Sequence, residues 1–347
     1  NMRLYNRING MELKRRMQDS TETRTTISFY KYYHIKNPRL FRDHFFILLD
    51  KLDVLGRIYV AAEGVNGQMS VPTANIEKLR EAFDTIDFFK GIRFNYAIDD
   101  DGKSFFKLAI KLRDKILADG LNDKSFDVTQ KGTHVDAAEF NALADDPNTV
   151  IIDMRNHYET EVGHFKGAIT PDVETFRESL PIIEEMLQNH KEQNLLMYCT
   201  GGIRCEKASA YFRYKGFKNV FQLNGGIIEY ARQVQEQKLE NKFIGKNFVF
   251  DERLGERISP EIIASCHQCG KPCDAHTNCA NDACHLLFIQ CDECAAKYSN
   301  CCSTKCYEFN QLGDDKKILR KTEVFNGTRF GKGRYKAFNK DHSLDMS

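Results

Sequence analysis

Apolar positions change their period along the chain, and the changes mark out elements. Ile27-Ser28-Phe29-Tyr30-Lys31-Tyr32-Tyr33, rich in aromatic and β-branched residues, predicts a strand. Asn37-Pro38 then opens a helical period carrying Leu40, Phe41, Phe45, Ile47, Leu48 and Leu52. Arg57 to Ala62 reads as a strand, Glu63-Gly64-Val65-Asn66-Gly67 as a turn, and Gln68 to Val71 as the returning strand. Asn66-Gly67 is a hairpin signal; a glycine-lined surface open to an RNA backbone is the second reading. A further helix is expected from about Thr73, with Ile76, Leu79, Phe83 and Ile86 inward. Strands near Ile92 to Ala97 and Phe105 to Leu112 complete the order βαββαβ, which predicts a ferredoxin-like (acylphosphatase-like) sandwich over residues 26–120. Lys103, Lys107, Lys111, Arg113 and Lys115 form a basic edge there, read first as a solvated strand face.

Residues 1–25 are polar and charged, an arm ahead of the first domain. Gly120 to Lys131 reads as a linker. Beyond it, His134-Val135-Asp136-Ala137-Ala138-Glu139-Phe140 predicts a short strand and a capped helix, and Thr149 to Asp153 an apolar strand. Phe176 to His190 has the pattern of an amphipathic helix, Leu195 to Tyr198 of a buried strand, and Asn219 to Leu223 of a last strand before a closing helix. Alternation of strand and helix over residues 128–240 predicts a doubly wound parallel sheet.

The chemistry gathers where the Leu195–Tyr198 strand ends. Cys199-Thr200-Gly201-Gly202-Ile203-Arg204-Cys205 forms a glycine turn between a strand and a helix start, so several backbone N–H groups lack helical partners. Those donors, the helix dipole and Arg204 all favour an anion at Cys199. Such surroundings lower a cysteine from about 8.5 to about 3.5–7.5, which makes Cys199 the candidate thiolate nucleophile. A buried strand-end cysteine is the plainer alternative. Cys205 either caps the helix start or resolves an oxidised Cys199.

Composition narrows the choice of partners. The 347 residues carry a net charge of only +1, so no global field announces nucleic acid and any basic patch is local. There is no run of 18 apolar residues, and Asn1 to Asp19 lacks the apolar core of a signal peptide. A cytoplasmic protein without a membrane span is expected. Of the 12 cysteines, only Cys199 and Cys205 lie outside the stretch from Cys266 to Cys306. In a reducing compartment such clustering points to metal ligation. Pairs of Cys-x2-Cys turns suit tetrahedral zinc, so Cys266 and Cys269 are paired with Cys291 and Cys294. A second site would draw on Cys273, Cys279, Cys284, Cys301, Cys302 and Cys306. One or two structural zinc ions are expected over residues 241–310; an iron–sulfur cluster and disulfide staples are the other readings of the same thiols. Residues 311–347 form a basic aromatic tail, in which 316–340 holds nine Lys or Arg against the single acid Glu323. Arg329, Phe330, Lys332, Arg334, Tyr335 and Lys336 there have the composition of a single-stranded RNA site, with a solvated tail as the alternative. No flavin or nicotinamide fingerprint is visible.

Two motifs resemble known proteins. Cys199-x-x-Gly202-x-Arg204 is similar to the active loop of rhodanese-type sulfurtransferases, whose first cysteine carries a persulfide. Its arginine comes five residues after the cysteine, against six in Cys-dependent phosphatases, which favours sulfur over phosphoryl chemistry. Asp153-Met154-Arg155, then Glu159 and Gly163-His164-Phe165-Lys166-Gly167-Ala168, resemble the second rhodanese signature. Asp153 and Arg155 are expected to brace the loop, and His164 to be a structural hydrogen-bonder. With Cys266-His267-Gln268-Cys269-Gly270-Lys271-Pro272-Cys273, Asn278-Cys279 and Cys284-His285-Leu286-Leu287-Phe288-Ile289-Gln290-Cys291 added, the chain from about residue 25 to 335 resembles the rhodanese-related tRNA uridine hydroxylase family. That resemblance implies 5-hydroxyuridine formation at the wobble position of tRNA, with molecular oxygen as co-substrate, the tRNA anticodon loop as partner and Cys199 as the active cysteine. A generic sulfurtransferase and a non-catalytic RNA-binding protein are the competing functions.

Overall fold

The computed structural model describes residues 8–121 and 131–315, together with 318 and 322–325. Gly10–Asp19, inside the stretch expected to be a polar arm, is a helix, α1. No apolar face betrays it, because none of its residues is buried. Asn9 caps it by accepting from the Met11 N–H, and Glu12 pairs with Arg15 and Arg16 one turn on.

The next elements are β1 (Arg24–Tyr32), α2 (Pro38–Asp50), β2 (Leu55–Ala61), β3 (Gly64–Pro72), α3 (Ile76–Asp84), β4 (Asn95–Tyr96) and β5 (Leu108–Leu112). They form a sheet of order β4-β1-β3-β2-β5. The first four strands give the expected ferredoxin-like arrangement with antiparallel neighbours, and β5 adds a fifth, parallel to β2. Alternation divides the sheet. Ile27, Phe29, Ile58, Val60, Val65 and Met69 turn into a core with Phe45, Leu49, Leu79 and Phe83 from α2 and α3.

Asn66-Gly67 is not the hairpin turn. Both residues lie inside β3, where Asn66 pairs with Tyr30 and Tyr59, and Gly67 with Phe29 and Ile58. A Cβ at Gly67 would come within 2.4 Å of the Phe29 ring. The glycine therefore makes room for core packing, and the chain turns earlier, between Ala61 and Gly64.

The second unit runs β6 (Thr133–Val135), α4 (Ala137–Asp145), β7 (Thr149–Asp153), α5 (His157–Thr160), β8 (Gly163–Phe165), α6 (Phe176–Met186), β9 (Asn194–Tyr198), α7 (Ile203–Tyr214), β10 (Asn219–Leu223) and α8 (Gly226–Gln237). Strands β6-β10-β9-β7 form a parallel sheet with β9 central. The helix expected over 176–190 ends at Met186 and continues as a short 3-10 turn. Strand β11 (Phe243–Asn247) pairs with β8 and carries Phe243 into the core around Phe140, Phe165, Tyr198 and Tyr230. Beyond it come β12 (Glu256–Arg257), β13 (His276–Asn278), β14 (Leu287–Ile289), α9 (Asp292–Tyr298) and α10 (Thr304–Gln311). Among the described residues no helix is long and apolar enough to cross a membrane.

Candidate active site and cysteine quartets

Cys199 follows the last residue of β9, at the carboxyl end of the parallel sheet, where α/β folds place their sites. Its thiol is fully buried. The Gly202 N–H donates to Cys199 Sγ at 3.1 Å. Gly202 caps α7 at φ +103°, a left-handed conformation that a side chain resists and that turns this N–H inward. Burial pushes the Cys199 thiol up, but the Cys205 thiol, the Arg204 guanidinium and the N–H groups of Cys205 and Gly202 outweigh it and bring the pKa down to about 6. Cys205 is pushed well above its ordinary value, by burial first and then by the Cys199 sulfur. At neutral pH Cys199 is the thiolate and Cys205 its neutral donor.

Arg204 does not stand free over the loop. Both of its terminal nitrogens donate to Glu159, at 2.6 and 2.8 Å, and Thr200 Oγ1 accepts from it at 3.3 Å. Burial pushes Glu159 up, and the Arg204 charge more than reverses this, holding it below the usual carboxylate range. Glu159, fully buried on α5, is named in the second signature but given no role by sequence reasoning; its capping-box position after Asn156 was the available signal.

Asp153 and Arg155 lie beneath this layer, both with no exposed surface. Arg155 donates to both Asp153 oxygens at 2.9 and 2.7 Å and to the Gly163 carbonyl at 2.7 Å. The Tyr198 hydroxyl donates to Asp153 Oδ2 at 2.5 Å. The network ties β7, β8 and β9 together below Cys199. His164 Nδ1 lies 3.0 Å from the Phe165 carbonyl oxygen.

The N-terminal unit closes over the loop. Tyr30 donates to Glu206 at 3.0 Å, and the Asn95 amide donates to the Gly201 carbonyl at 3.4 Å. Lys207, buried on α7, pairs with Glu63 at 2.8 Å and Asp119 at 2.6 Å. A cavity of about 320 Å³ lies between the units. The open face of the five-stranded sheet forms one wall, Thr200, Gly201, Ile203 and Arg204 a second, and Tyr158 and Phe250 close it. Cys199 itself adds no lining surface.

All twelve cysteines are free. Eight of them form two quartets, Cys266-Cys269-Cys291-Cys294 and Cys279-Cys284-Cys302-Cys306, with the sulfurs of each within 4.8 Å of one another. The first is the expected pairing, and each quartet has the donor set of a metal site. Cys273 and Cys301, expected among the ligands, stand outside. Cys273 Sγ accepts from the Ala275 N–H at 3.5 Å and Cys301 Sγ from the Asn310 amide at 3.5 Å. His267 is also engaged otherwise: its Nδ1 accepts from the Ile289 N–H, so Nε2 donates to Glu161 at 2.7 Å. Glu161 directly follows α5, so the first quartet's loop braces the helix that carries Glu159. Arg329, Phe330, Lys332, Arg334, Tyr335 and Lys336 lie outside the described residues.

Comparison with known proteins follows the same division. Residues 24–116 match the UPF0176 acylphosphatase like domain, 136–233 the rhodanese-like domain and 244–307 the rhodanase C-terminal domain. A tRNA uridine(34) hydroxylase of Photorhabdus laumondii is 52% identical over 335 residues, covering 96% of this chain and 95% of that protein. The chain belongs to the tRNA uridine(34) hydroxylase family. Further members from Cronobacter sakazakii and Escherichia coli are 54% and 57% identical, covering 95% and 87% of this chain and the same shares of their own. The family's rhodanese-like segment contains β7 to β10, and hence both Glu159 and the Cys199 loop.

Proposed function

We propose that the protein hydroxylates uridine 34, the wobble base of tRNA, at ring carbon C5, with Cys199 as nucleophile and molecular oxygen as co-substrate. Family membership supplies the substrate class. The observation that carries the reading is a buried cysteine with pKa about 6, seated behind a turn that walls a cavity between two units.

Addition of the sulfur borne by Cys199 to C6 of the uracil forms an S–C6 bond and moves the double-bond electrons to C5 and O4. C5 then takes oxygen, and loss of the C5 proton with departure of the sulfur restores the ring. Insertion of one atom of O2 releases the other as water and draws two electrons from a reductant outside the chain. The Gly202 and Cys205 N–H groups and the Arg204 charge hold the anionic sulfur before it adds and after it leaves. Cys199 lines no part of the cavity, and it reaches the base as a persulfide. A sulfane-sulfur donor outside the chain passes one sulfur to the thiolate and leaves as its anion. This outer sulfur, one S–S bond of about 2 Å further out, is the one that makes and breaks the S–C6 bond. Asp153 and Arg155 act as bracing and touch no substrate.

Each quartet is assigned a structural zinc ion. Tetrahedral zinc with Zn–S near 2.3 Å sets its sulfurs about 3.8 Å apart. Cys269 and Cys291 are 3.6 Å apart, and Cys284 lies 3.7 Å from Cys302. An iron–sulfur cluster would spread its thiolates further. The basic tail with Arg329, Phe330, Lys332, Arg334, Tyr335 and Lys336 is assigned to the anticodon arm, where cations meet phosphates and rings stack on unpaired bases.

The test uses purified protein, a reductant, unmodified tRNA and isotopically labelled dioxygen. Nucleoside mass spectrometry is expected to find 5-hydroxyuridine carrying the label. Product with unlabelled oxygen, or no product at any reductant, contradicts the reading.

A further inference from the structure

The open face of the five-stranded sheet carries charge of one sign. Among the described residues, those of β1 to β5 that turn away from the apolar core hold Arg24, Arg57 and Lys111 and no carboxylate. Arg24 is buried and engaged by Glu22 and Ser70. Arg57 on β2 and Lys111 on β5 are exposed, and neither forms an ion pair among the described residues. The two strands run parallel, with Arg57 beside Ala109 and Tyr59 beside Lys111. Arg113, just beyond β5, is also exposed, and its guanidinium lies 5.1 Å from the centre of the Tyr59 ring. Arg57, Lys111 and Arg113 thus surround one tyrosine. The basic edge marked by the sequence is thereby divided. Lys103 donates to the Gln18 carbonyl and Lys115 to Asp119, so both are occupied within the fold. Lys111 and Arg113 are left to solvent, and the sheet adds Arg57 to them.

The position of this cluster gives it a use. Arg57 and Tyr59 line the cavity that the Cys199 turn walls. Arg57 is exposed although it lines the cavity, so it stands where the cavity meets solvent. Two other arginines line it, and each is matched by a carboxylate: Arg204 by Glu159 at 2.6 Å and Arg253 by Asp251 at 2.6 Å. Arg57 makes one long contact, to the Phe250 carbonyl at 3.4 Å, which leaves most of its donors unused. The mouth therefore presents uncompensated positive charge in a chain whose net charge is only +1. At about 320 Å³ the cavity is at the small end of ligand pockets, the size of one nucleoside rather than a length of chain. A nucleotide whose base enters it keeps its phosphates outside, beside Arg57.

We propose that Arg57, Lys111 and Arg113 form a phosphate clamp that grips the RNA backbone flanking the uridine turned into the cavity. The proposal rests on the hydroxylase reading and adds which surface receives the RNA strand. A guanidinium matches two phosphate oxygens at once, and Lys111 adds a point charge. Tyr59, held by Arg113, offers a ring at the entrance on which an unpaired base stacks. Phosphate contacts fix register and read no base edge, so the clamp acts alike on any nucleotide at the target position. Its members touch no reacting atom and are positioning residues.

The test measures binding of the full chain to a tRNA anticodon stem-loop across a salt series, together with single-turnover hydroxylation of tRNA. Arg57→Ala combined with Lys111→Ala is compared with Lys51→Ala combined with Lys78→Ala. Lys51 and Lys78 are exposed on the helices that cover the opposite face, so both pairs remove the same charge. The clamp pair is expected to weaken binding about tenfold or more at about 0.1 M salt and to reduce the slope of log affinity against log salt by about 1.4, the value for two phosphate contacts with a single strand. The loss is expected to be equal for a stem-loop with cytidine at the target. In hydroxylation it is expected to fall on the half-saturating protein concentration more than on the saturated rate. The control pair is expected to keep wild-type affinity and slope. Should circular dichroism show the clamp pair to have lost its fold, Lys111→Glu at its exposed position carries the test, with the same direction of change. Equal losses from the two pairs, or an unchanged salt slope in a folded clamp variant, overturn the proposal. Hydroxylation indifferent to the clamp substitutions sinks the clamp and leaves the hydroxylase reading standing. RNA affinity that depends on the clamp, without hydroxylation under any reductant, does the reverse.

Discussion

The chain uses sulfur in two opposite ways, at Cys199 and in the two quartets. Cys199 is a single thiolate held by backbone N–H groups, a neighbouring thiol and one arginine. Each quartet brings four sulfurs within 4.8 Å of one another, a spacing that suits thiolates sharing one cation. The first environment leaves the sulfur's electron pair available for reaction; the second has the donor set of a metal site. One fold thus separates reactive from structural sulfur by what surrounds each atom. The two are linked through His267, which reaches from the first quartet's loop to Glu161 beside α5, the helix that carries Arg204's partner Glu159.

The largest effect that would break this contrast comes from taking the metal away. Cys284→Ser, at a fully buried ligand of the second quartet, is expected to remove one equivalent of zinc by elemental analysis. Chelation of both ions is expected to unfold residues 266–306 in hydrogen exchange, since structural zinc contributes on the order of 10 kcal/mol to folding small modules. Full folding and wild-type protection without metal would show the quartets to be ordinary core.

Next comes the ion pair that stands in place of a metal at Cys199. Glu159→Gln leaves Arg204 buried without its carboxylate, a change that costs about 3–5 kcal/mol in denaturant unfolding. It also frees the Arg204 charge to act on Cys199, so the thiolate's pKa is expected to fall below its present value of about 6. An unchanged or higher value would mean that Arg204 does not hold the thiolate.

The smallest effect is the pH profile of the intact enzyme. Cys199 is depressed, so its thiolate is present above about pH 6 and is lost as pH falls through that value. Single-turnover hydroxylation is expected to decline with a midpoint near pH 6, while zinc content holds over the same interval. A midpoint near 8 to 9 would place Cys199 among ordinary thiols.

The alternation of strands and helices, the ferredoxin-like order and the Cys199 turn were legible because each rests on local chemistry. Period, capping and glycine content are written in neighbouring residues. What escaped depends on distant partners. Asn66-Gly67 reads as a turn until the Phe29 ring is seen to fill the space beside Gly67. Helix α1 hides because ion pairs and a cap hold it without an apolar stripe. Glu159 stands in a motif that resembles the second rhodanese signature, but its role comes from Arg204, 45 residues away. Cysteine spacing gave the first quartet but not the second, since Cys273 and Cys301 are as close in sequence as the true members and are excluded only by the path of the chain.

The most direct measurement compares tRNA nucleosides by mass spectrometry from cells lacking this protein and supplied with wild type, Cys199→Ser or Cys273→Ser. Wild type and Cys273→Ser are predicted to restore 5-hydroxyuridine at position 34, and Cys199→Ser to yield none while remaining folded with its zinc. Hydroxylated wobble uridine in the Cys199→Ser cells would contradict the assignment of the chemistry to that sulfur.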